Sequence, residues 1–322
     1  MKKAVYIISM SMISCLTTIS FAQTSKQKNM TLENNKQVFI KFNREFFGNG
    51  DTAIAKVLLT ETFVNHTPPP NAPDDASPMI KFTSEFHKGF SNIHFEVHEV
   101  VAEGNKVALR KTMTATNTGP FFGNAPSGKT VTLNSIEIAI IKDGKITDYW
   151  AKNDYMQALL GNWAAIEPEK KTKNDKYPSN KNNTESNAAI EKNKQTVIKF
   201  NTELFELANT DNLKEFLANG FANHTAPANG LLDDRANGVI QFASSFHKGF
   251  SNIKVQIDEV IAEGDKVVLF KTVTATHTGE FMDKTPTGKA ITLHVIEMDI
   301  LKDGKITDQW SRNDLMLIVQ GL

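Results

Sequence analysis

The feature that most constrains this 322-residue chain is an internal duplication. KQVFIKFN at Lys36–Asn43 returns as KQTVIKFN at Lys194–Asn201, an offset of 158, and NHT at Asn65–Thr67 returns at Asn223–Thr225. FHKGFSNI at Phe86–Ile93 returns at Phe246–Ile253 with an offset of 160, so the second copy carries two extra residues between these blocks. AEG, KTxTAT, a P-x-G-K turn and KDGKITDxW follow at the same offset. A period of this length is that of a whole domain, too long for a solenoid unit. The units are expected over residues 30–162 and 188–322. Residues 163–187 are dominated by Lys, Asn, Glu, Ser and Pro, have too few apolar side chains to fold alone, and are expected to be a flexible linker.

Each unit has the same order of elements. Val38, Phe42 and Phe46, and Val197, Phe200 and Leu204, recur at helical spacing. A second short helix is expected after Asp51-Thr52 and Thr210-Asp211, where Asp or Thr can cap. A third runs from Ser77 to Lys88 and from Asp233 to Lys248, each stopped by a glycine. The period then changes to two, with Val267, Leu269, Lys271 and Val273 alternating with their neighbours. Turns at Asn105, Asp265, Asp143-Gly144 and Asp303-Gly304 join successive strands. The expected unit is α+β: three helices packed on a four-stranded antiparallel meander.

The N-terminus has Lys2 and Lys3, a short apolar stretch from Ala4 to Leu16, and small residues ending at Ala22. That is the pattern of a cleavable signal peptide over residues 1–22, and the apolar run is too short for a stable membrane span. A periplasmic or secreted protein is therefore expected, with lipid attachment at Cys15 as the alternative. Cys15 is the only cysteine, so cleavage near Ala22 leaves no disulfide and no thiolate chemistry. The chain has 36 basic and 36 acidic residues, and without Lys2 and Lys3 the balance is 34 to 36. No long-range field toward nucleic acid follows from that balance.

Candidate chemistry centres on carboxylates and histidines. Glu297 shares strand parity with Leu293, Val295 and Leu301, and Glu137 with Leu133, Ala139 and Ile141. Each therefore projects among apolar neighbours, where burial raises a carboxyl pKa toward the range useful for proton transfer. The alternative is a glutamate paired to an internal basic group. Both faces of this strand are apolar, so parity leaves open which one meets a cavity. His66 and His224 follow the second helix, where they cap the turn or border a pocket. Trp150 and Trp310 are each followed four residues later by an aspartate, Asp154 and Asp314, able to orient a histidine, accept a proton or cap a turn. His277 and His294 are present only in the second copy, against Asn117 and Asn134 in the first, so the second copy is the better equipped for proton shuttling. His94 and His98 lie on one strand of the first copy and read as a solvated face.

The stretch AEGDKVVLFKTVTATHTGEFMDKTPTGKAITLHVIEMDILKDGKITDQW at Ala262–Trp310, with its counterpart ending at Trp150, resembles the SnoaL-like (polyketide cyclase-like) proteins of the NTF2-like superfamily. The resemblance covers both units. It implies two cone-shaped barrels, each three helices on a curved antiparallel sheet around an apolar pocket, that pair through their sheets, here within one chain. Cyclases of the family perform intramolecular aldol condensation without metal or organic cofactor, using an aspartate whose position is matched by Glu297 and Glu137. His277 matches the histidine of THTG, and Trp310 and Asp314 match the terminal W…D pair. Three functions stay open. One is binding of a small hydrophobic or carbonyl-containing ligand in a pocket lined by His224, His66, Trp310, Trp150 and His294. The second is a cofactor-independent cyclase or isomerase using Glu297 as acid/base, supported by His277. The third is a non-catalytic interaction module.

Overall fold

The computed structural model describes residues 30–154, 186–225 and 235–322. The expected leader at 1–22, Cys15 and nearly all of the expected linker at 163–187 lie outside the described residues.

Helix α1 (30–42) continues into one π-helical segment, Asn43–Gly48. Then come α2 (Ile54–Leu58), β1 (Leu59–Asn65), α3 (Ser77–Gly89), β2 (Phe90–Glu103), β3 (Lys106–Asn117), β4 (Thr130–Lys142) and β5 (Lys145–Asn153). The second unit repeats the series. Helix α4 (Asn187–Asn201) is followed by a π-helical segment, Thr202–Glu206, and α5 (Leu213–Phe216), β6 (Leu217–Asn223) and α6 (Arg235–Gly249) come next. Strands β7 (Phe250–Glu263), β8 (Lys266–His277), β9 (Ala290–Lys302) and β10 (Lys305–Asn313) lead to a terminal helix α7 (Leu315–Gly321).

The expected meander is present, and each sheet has a fifth strand beyond it. The orders are β1-β5-β4-β3-β2 and β6-β10-β9-β8-β7, with β1 parallel to β5 and β6 parallel to β10. Both sheets are thus mixed and open-edged. The periodicity of β1 hides it: only Leu59, Phe63 and Asn65 are buried along its seven residues. Phe63 and Phe221, expected at the end of a helix, lie on these added strands.

Local chemistry explains the turns. Asp143 and Gly144, and Asp303 and Gly304, all have positive φ, the conformation of a two-residue hairpin that matches strand twist. Gly89 and Gly249 end their helices as expected, but without the left-handed backbone that glycine often supplies at a helix end. Neither has positive φ. A Cβ at Gly249 would lie 2.6 Å from the Cβ of Phe281, so the glycine permits a close approach.

The faces of β4 and β9 have different neighbours. Leu133, Ala139 and Ile141 point toward the helices of their own unit, as do Leu293, Val295 and Leu301. Ile136 and Ile138 pack instead with Ile296, Met298 and Ile300 of the other unit, alongside Trp150 and Trp310. The two sheets therefore stack face to face within one chain, giving layers of helices, sheet, sheet and helices. This is why the strands read as apolar on both faces. Reciprocal ion pairs fasten the stack. Lys36 meets Glu263 at 2.5 Å and Lys194 meets Glu103 at 2.6 Å. The same two carboxylates accept from the backbone N–H of Ala102 (2.9 Å) and Ala262 (3.0 Å) across the junction.

Candidate functional site

Inside each unit, three elements bring one asparagine, one lysine and one glutamate together. The asparagine that ends the repeated KQxxIKFN motif stands where the first helix turns π-helical, a local widening frequent at functional sites. Asn43 donates to the Phe39 carbonyl (3.2 Å) and Asn201 to that of Val197 (3.0 Å), which aims each side-chain carbonyl inward. Lys111 of β3 donates to Asn43 Oδ1 (2.6 Å) and pairs with Glu137 Oε1 (2.6 Å). Lys271 of β8 donates to Asn201 Oδ1 and to Glu297 Oε1 (2.6 Å). The ammonium groups lie over aromatic rings, Lys111 3.6 Å from the Phe47 centroid and Lys271 4.1 Å from that of Phe205. Lysines and glutamates alike are at most 2% exposed. Burial pushes Lys111 below its ordinary pKa, and the Glu137 charge opposes this only in part.

The copies diverge beside these triads. Next to Glu297 on the same face, the second copy has Asp299, which accepts from Gln309 Nε2 at 3.1 Å. The first copy has Ala139 and Tyr149 there, and Tyr149 joins Phe39, Phe42 and Phe63 in edge-on and tilted ring contacts. Burial first, then the Glu297 charge, pushes Asp299 well above the usual carboxylate range, against the Gln309 hydrogen bond and the Lys271 charge. Among the described residues, the apolar interior of the first unit is one continuous cluster, whereas that of the second is two. Among the described residues, Glu137 Oε2, Glu297 Oε2 and Asp299 Oδ2 have no hydrogen-bond partner.

The other expected site residues are not gathered around Glu297. His277 is fully buried at the far end of β8, with Nδ1 against Thr287 Oγ1 (3.1 Å), its ring on Phe250 and Nε2 without a partner among the described residues. Glu297 stands opposite Leu269, so His277 is eight residues further along β8, about 26 Å of extended strand. The expected support of Glu297 by His277 therefore fails on geometry. Asn117, its counterpart, bonds Gly89, Gly119 and Ser127 and staples the loop.

The expected pocket-lining set is corrected as well. Trp150 and Trp310 face the junction between sheets, not the interior of either unit. His66 stacks on Trp150 at 4.2 Å and bonds Asp148, and His224 stacks on Trp310 at 4.3 Å and bonds Asp308. His294 lies on the junction face too, held by Asp314 through its backbone N–H (2.9 Å) and Nδ1 (3.1 Å). Asp314 also takes Lys152 of the first unit at 2.8 Å, so this candidate acid/base is an inter-unit anchor. His98, expected on a solvated face, is buried on Thr112 (2.8 Å). Among the described residues, no group of three or more His, Cys, Asp or Glu is placed to hold a metal ion.

Lys111, Lys271, Asn43, Asn201, Asp299 and Gln309 were not among the expected site residues. The signal was present: a lysine at the apolar parity of the same strand in both copies, and a second carboxylate at the parity of Glu297.

Comparison with curated proteins finds no match. Among solved structures, the chain is similar to AclR from Streptomyces galilaeus, at 25% identity over 41% of this chain and 98% of that one, with a TM-score of 0.36. It is similar to TsrD from Streptomyces laurentii at 21% identity, 42% and 97% coverage and a TM-score of 0.36. A SnoaL-like polyketide cyclase from Agrobacterium tumefaciens is 15% identical over 40% and 96%, with a TM-score of 0.33. The family model for SnoaL-like polyketide cyclase matches residues 37–160 and, a second time, 195–322. With most of its length matched by one family in two tandem regions, the chain belongs to the SnoaL-like polyketide cyclases.

Proposed function

We propose that the second unit binds a small, largely apolar molecule carrying a hydroxyl or carbonyl group, and that the first unit is its folded partner. One observation carries this reading. A polar belt of Asn201, Lys271, Glu297, Asp299 and Gln309 crosses the apolar interior of the second unit and leaves buried carboxyl oxygens without donors among the described residues. Native interiors rarely leave such groups unmet, and ligand sites combine apolar walls with a few converging polar groups. The test is methyl NMR of the full chain titrated with small aromatic and alicyclic ketones and alcohols. Saturable shifts at Leu293, Val295 and Val273 are expected, with Leu133 and Ile141 unmoved. Equal shifts in both units, or none that saturate, overturn the reading.

A second reading, cyclase or isomerase chemistry with Glu297 as acid/base, draws on the family and on the free Oε2 of Glu297. Against it, Glu297 Oε1 is already occupied by Lys271 at 2.6 Å. Incubating ketone probes in D2O separates the two. Binding alone leaves the α-protons unexchanged, and exchange that Glu297→Gln abolishes establishes the enzyme.

Export completes the proposal: the protein works in the periplasm or outside the cell after cleavage near Ala22. Intact-mass measurement of protein recovered from a native-type host is expected to begin at Gln23, and a retained Met1 overturns it. Among the described residues, no helix is long and apolar enough to cross a membrane.

A further inference from the structure

This inference rests on the binding reading above and specifies what the ligand must carry. Glu297 and Asp299 alternate along β9, so both carboxyl groups leave the same face. Glu297 Oε1 is occupied by Lys271, and Asp299 Oδ1 by Gln309. The second oxygen of each is buried, with no partner among the described residues.

The first unit is an internal control. It has the same lysine, asparagine and glutamate, but Ala139 and Tyr149 stand in place of Asp299 and Gln309. There the interior is one apolar cluster containing both substitutes. In the second unit, Phe200, Leu204 and Leu301 belong to one cluster and Phe246, Leu293 and Val295 to another. The pair Asp299–Gln309 is thus a departure from a packed solution available to the same fold.

The charges around Asp299 narrow the ligand. The lysine beside the two carboxyl groups is already engaged by Glu297 and Asn201, so among the described residues it offers an anionic ligand no free cation. Burial and the Glu297 charge favour the neutral acid form of Asp299, so the belt as a whole is close to uncharged and makes no demand for a cation. Glu297 Oε2 lacks a donor, and the acid form of Asp299 has a donor to offer.

We propose that Glu297 and Asp299 form a two-point polar subsite in the second unit that selects neutral, largely apolar molecules bearing a hydroxyl group. The hydroxyl hydrogen is donated to Glu297 Oε2, and the hydroxyl oxygen accepts from the Asp299 carboxylic acid. Asp299 supplies the donor to the ligand oxygen, and the first unit, with Ala139 at that position, keeps only the glutamate half of the subsite.

The test uses the full chain and four matched probes: naphthalene, 2-naphthol, 2-methoxynaphthalene and the ammonium form of 2-naphthylmethylamine. Dissociation constants come from calorimetry, and methyl shifts at Leu293 and Val295 locate the site. The unaltered protein is expected to bind 2-naphthol about tenfold more tightly than 2-methoxynaphthalene, the difference one well-formed hydrogen bond makes. Asp299→Ala is expected to bring 2-methoxynaphthalene and naphthalene within about twofold, while Asp299→Asn, which still donates to the ether oxygen, keeps 2-methoxynaphthalene the tighter of the two. The preference for 2-naphthol over 2-methoxynaphthalene rests on Glu297 Oε2 and survives both substitutions. Equal binding of 2-naphthol and 2-methoxynaphthalene by the unaltered protein overturns the subsite and leaves the binding reading standing. That comparison needs no variant, so it holds even where Asp299→Ala fails to fold. Tightest binding of the ammonium probe overturns the neutral-ligand selection. Failure of all four probes to move Leu293 and Val295 overturns the binding reading and the subsite with it.

Discussion

A buried lysine is tolerated only with its charge met. In both units a glutamate and an asparagine carbonyl meet it, and an aromatic face lies against it. Removing one partner leaves an uncompensated charge, whereas replacing both with apolar groups of similar volume is nearly neutral. Glu297→Leu alone is therefore expected to cost about 3–5 kcal/mol of stability, and Lys271→Met/Glu297→Leu to recover most of it. Urea denaturation of the two variants checks this, and a single variant as stable as the parent contradicts the ion pair. Asp299 has its own pH signature. Its folded pKa is raised above 3.8, so its stabilising contribution is complete below that value and is lost as pH climbs through the folded pKa. Asp299→Asn cannot ionise, so its stability relative to the parent is expected to improve as pH rises from about 4 toward neutrality. Parallel thermal-melt profiles of the two proteins count against a buried, proton-retaining Asp299.

At the scale of elements, glycines with different surroundings give opposite expectations. Gly249 ends α6 where an added Cβ would collide with Phe281, so Gly249→Ala is expected to destabilise by about 1–3 kcal/mol. Gly238 lies inside α6 with nothing within 4 Å of an added Cβ. There alanine is expected to stabilise by roughly 0.5–1 kcal/mol, by limiting the unfolded chain and favouring the helix. Melting temperatures shifting in opposite directions support the close helix–loop approach; shifts of the same sign do not. The added strands β1 and β6 show how an element escapes a periodicity argument. Each pairs parallel with the last strand of its unit across a long sequence gap, and its register is irregular.

Across the whole molecule, the sheet-to-sheet junction is an apolar layer edged by charge pairs that repeat nearly symmetrically. Lys36 and Lys194, the first residues of the repeated motif, each reach a glutamate of the other unit. Cutting the chain at a protease site placed between residues 163 and 185 is expected to leave the halves co-eluting as one particle. Separation at micromolar concentration contradicts the junction. Asp314 adds a pH limit. Burial raises its pKa, but the His294 hydrogen bond and the Lys152 charge outweigh that and hold it below 3.8. Its contribution is present above that value and is lost as pH falls through the lower folded pKa. The nicked halves are therefore expected to separate more readily near pH 3 than at pH 6.

The duplication, the change of period from helix to strand, the Asp-Gly hairpins and the shared parity of Glu137 and Glu297 with apolar neighbours are all legible in the order of residues along the chain. These are local or repetitive properties, set by turn chemistry and by the alternation of side chains along a strand. What each face meets depends on how distant elements fold against it. Lys271 receives Asn201 from 70 residues away and Glu297 from 26. The same folding puts the Trp150 and Trp310 rings on the junction, and His277 far along β8 from Glu297. Alternation says that a side chain is on a face; depth, partner and distance come from elements that fold against that face, and their order in the chain does not encode them.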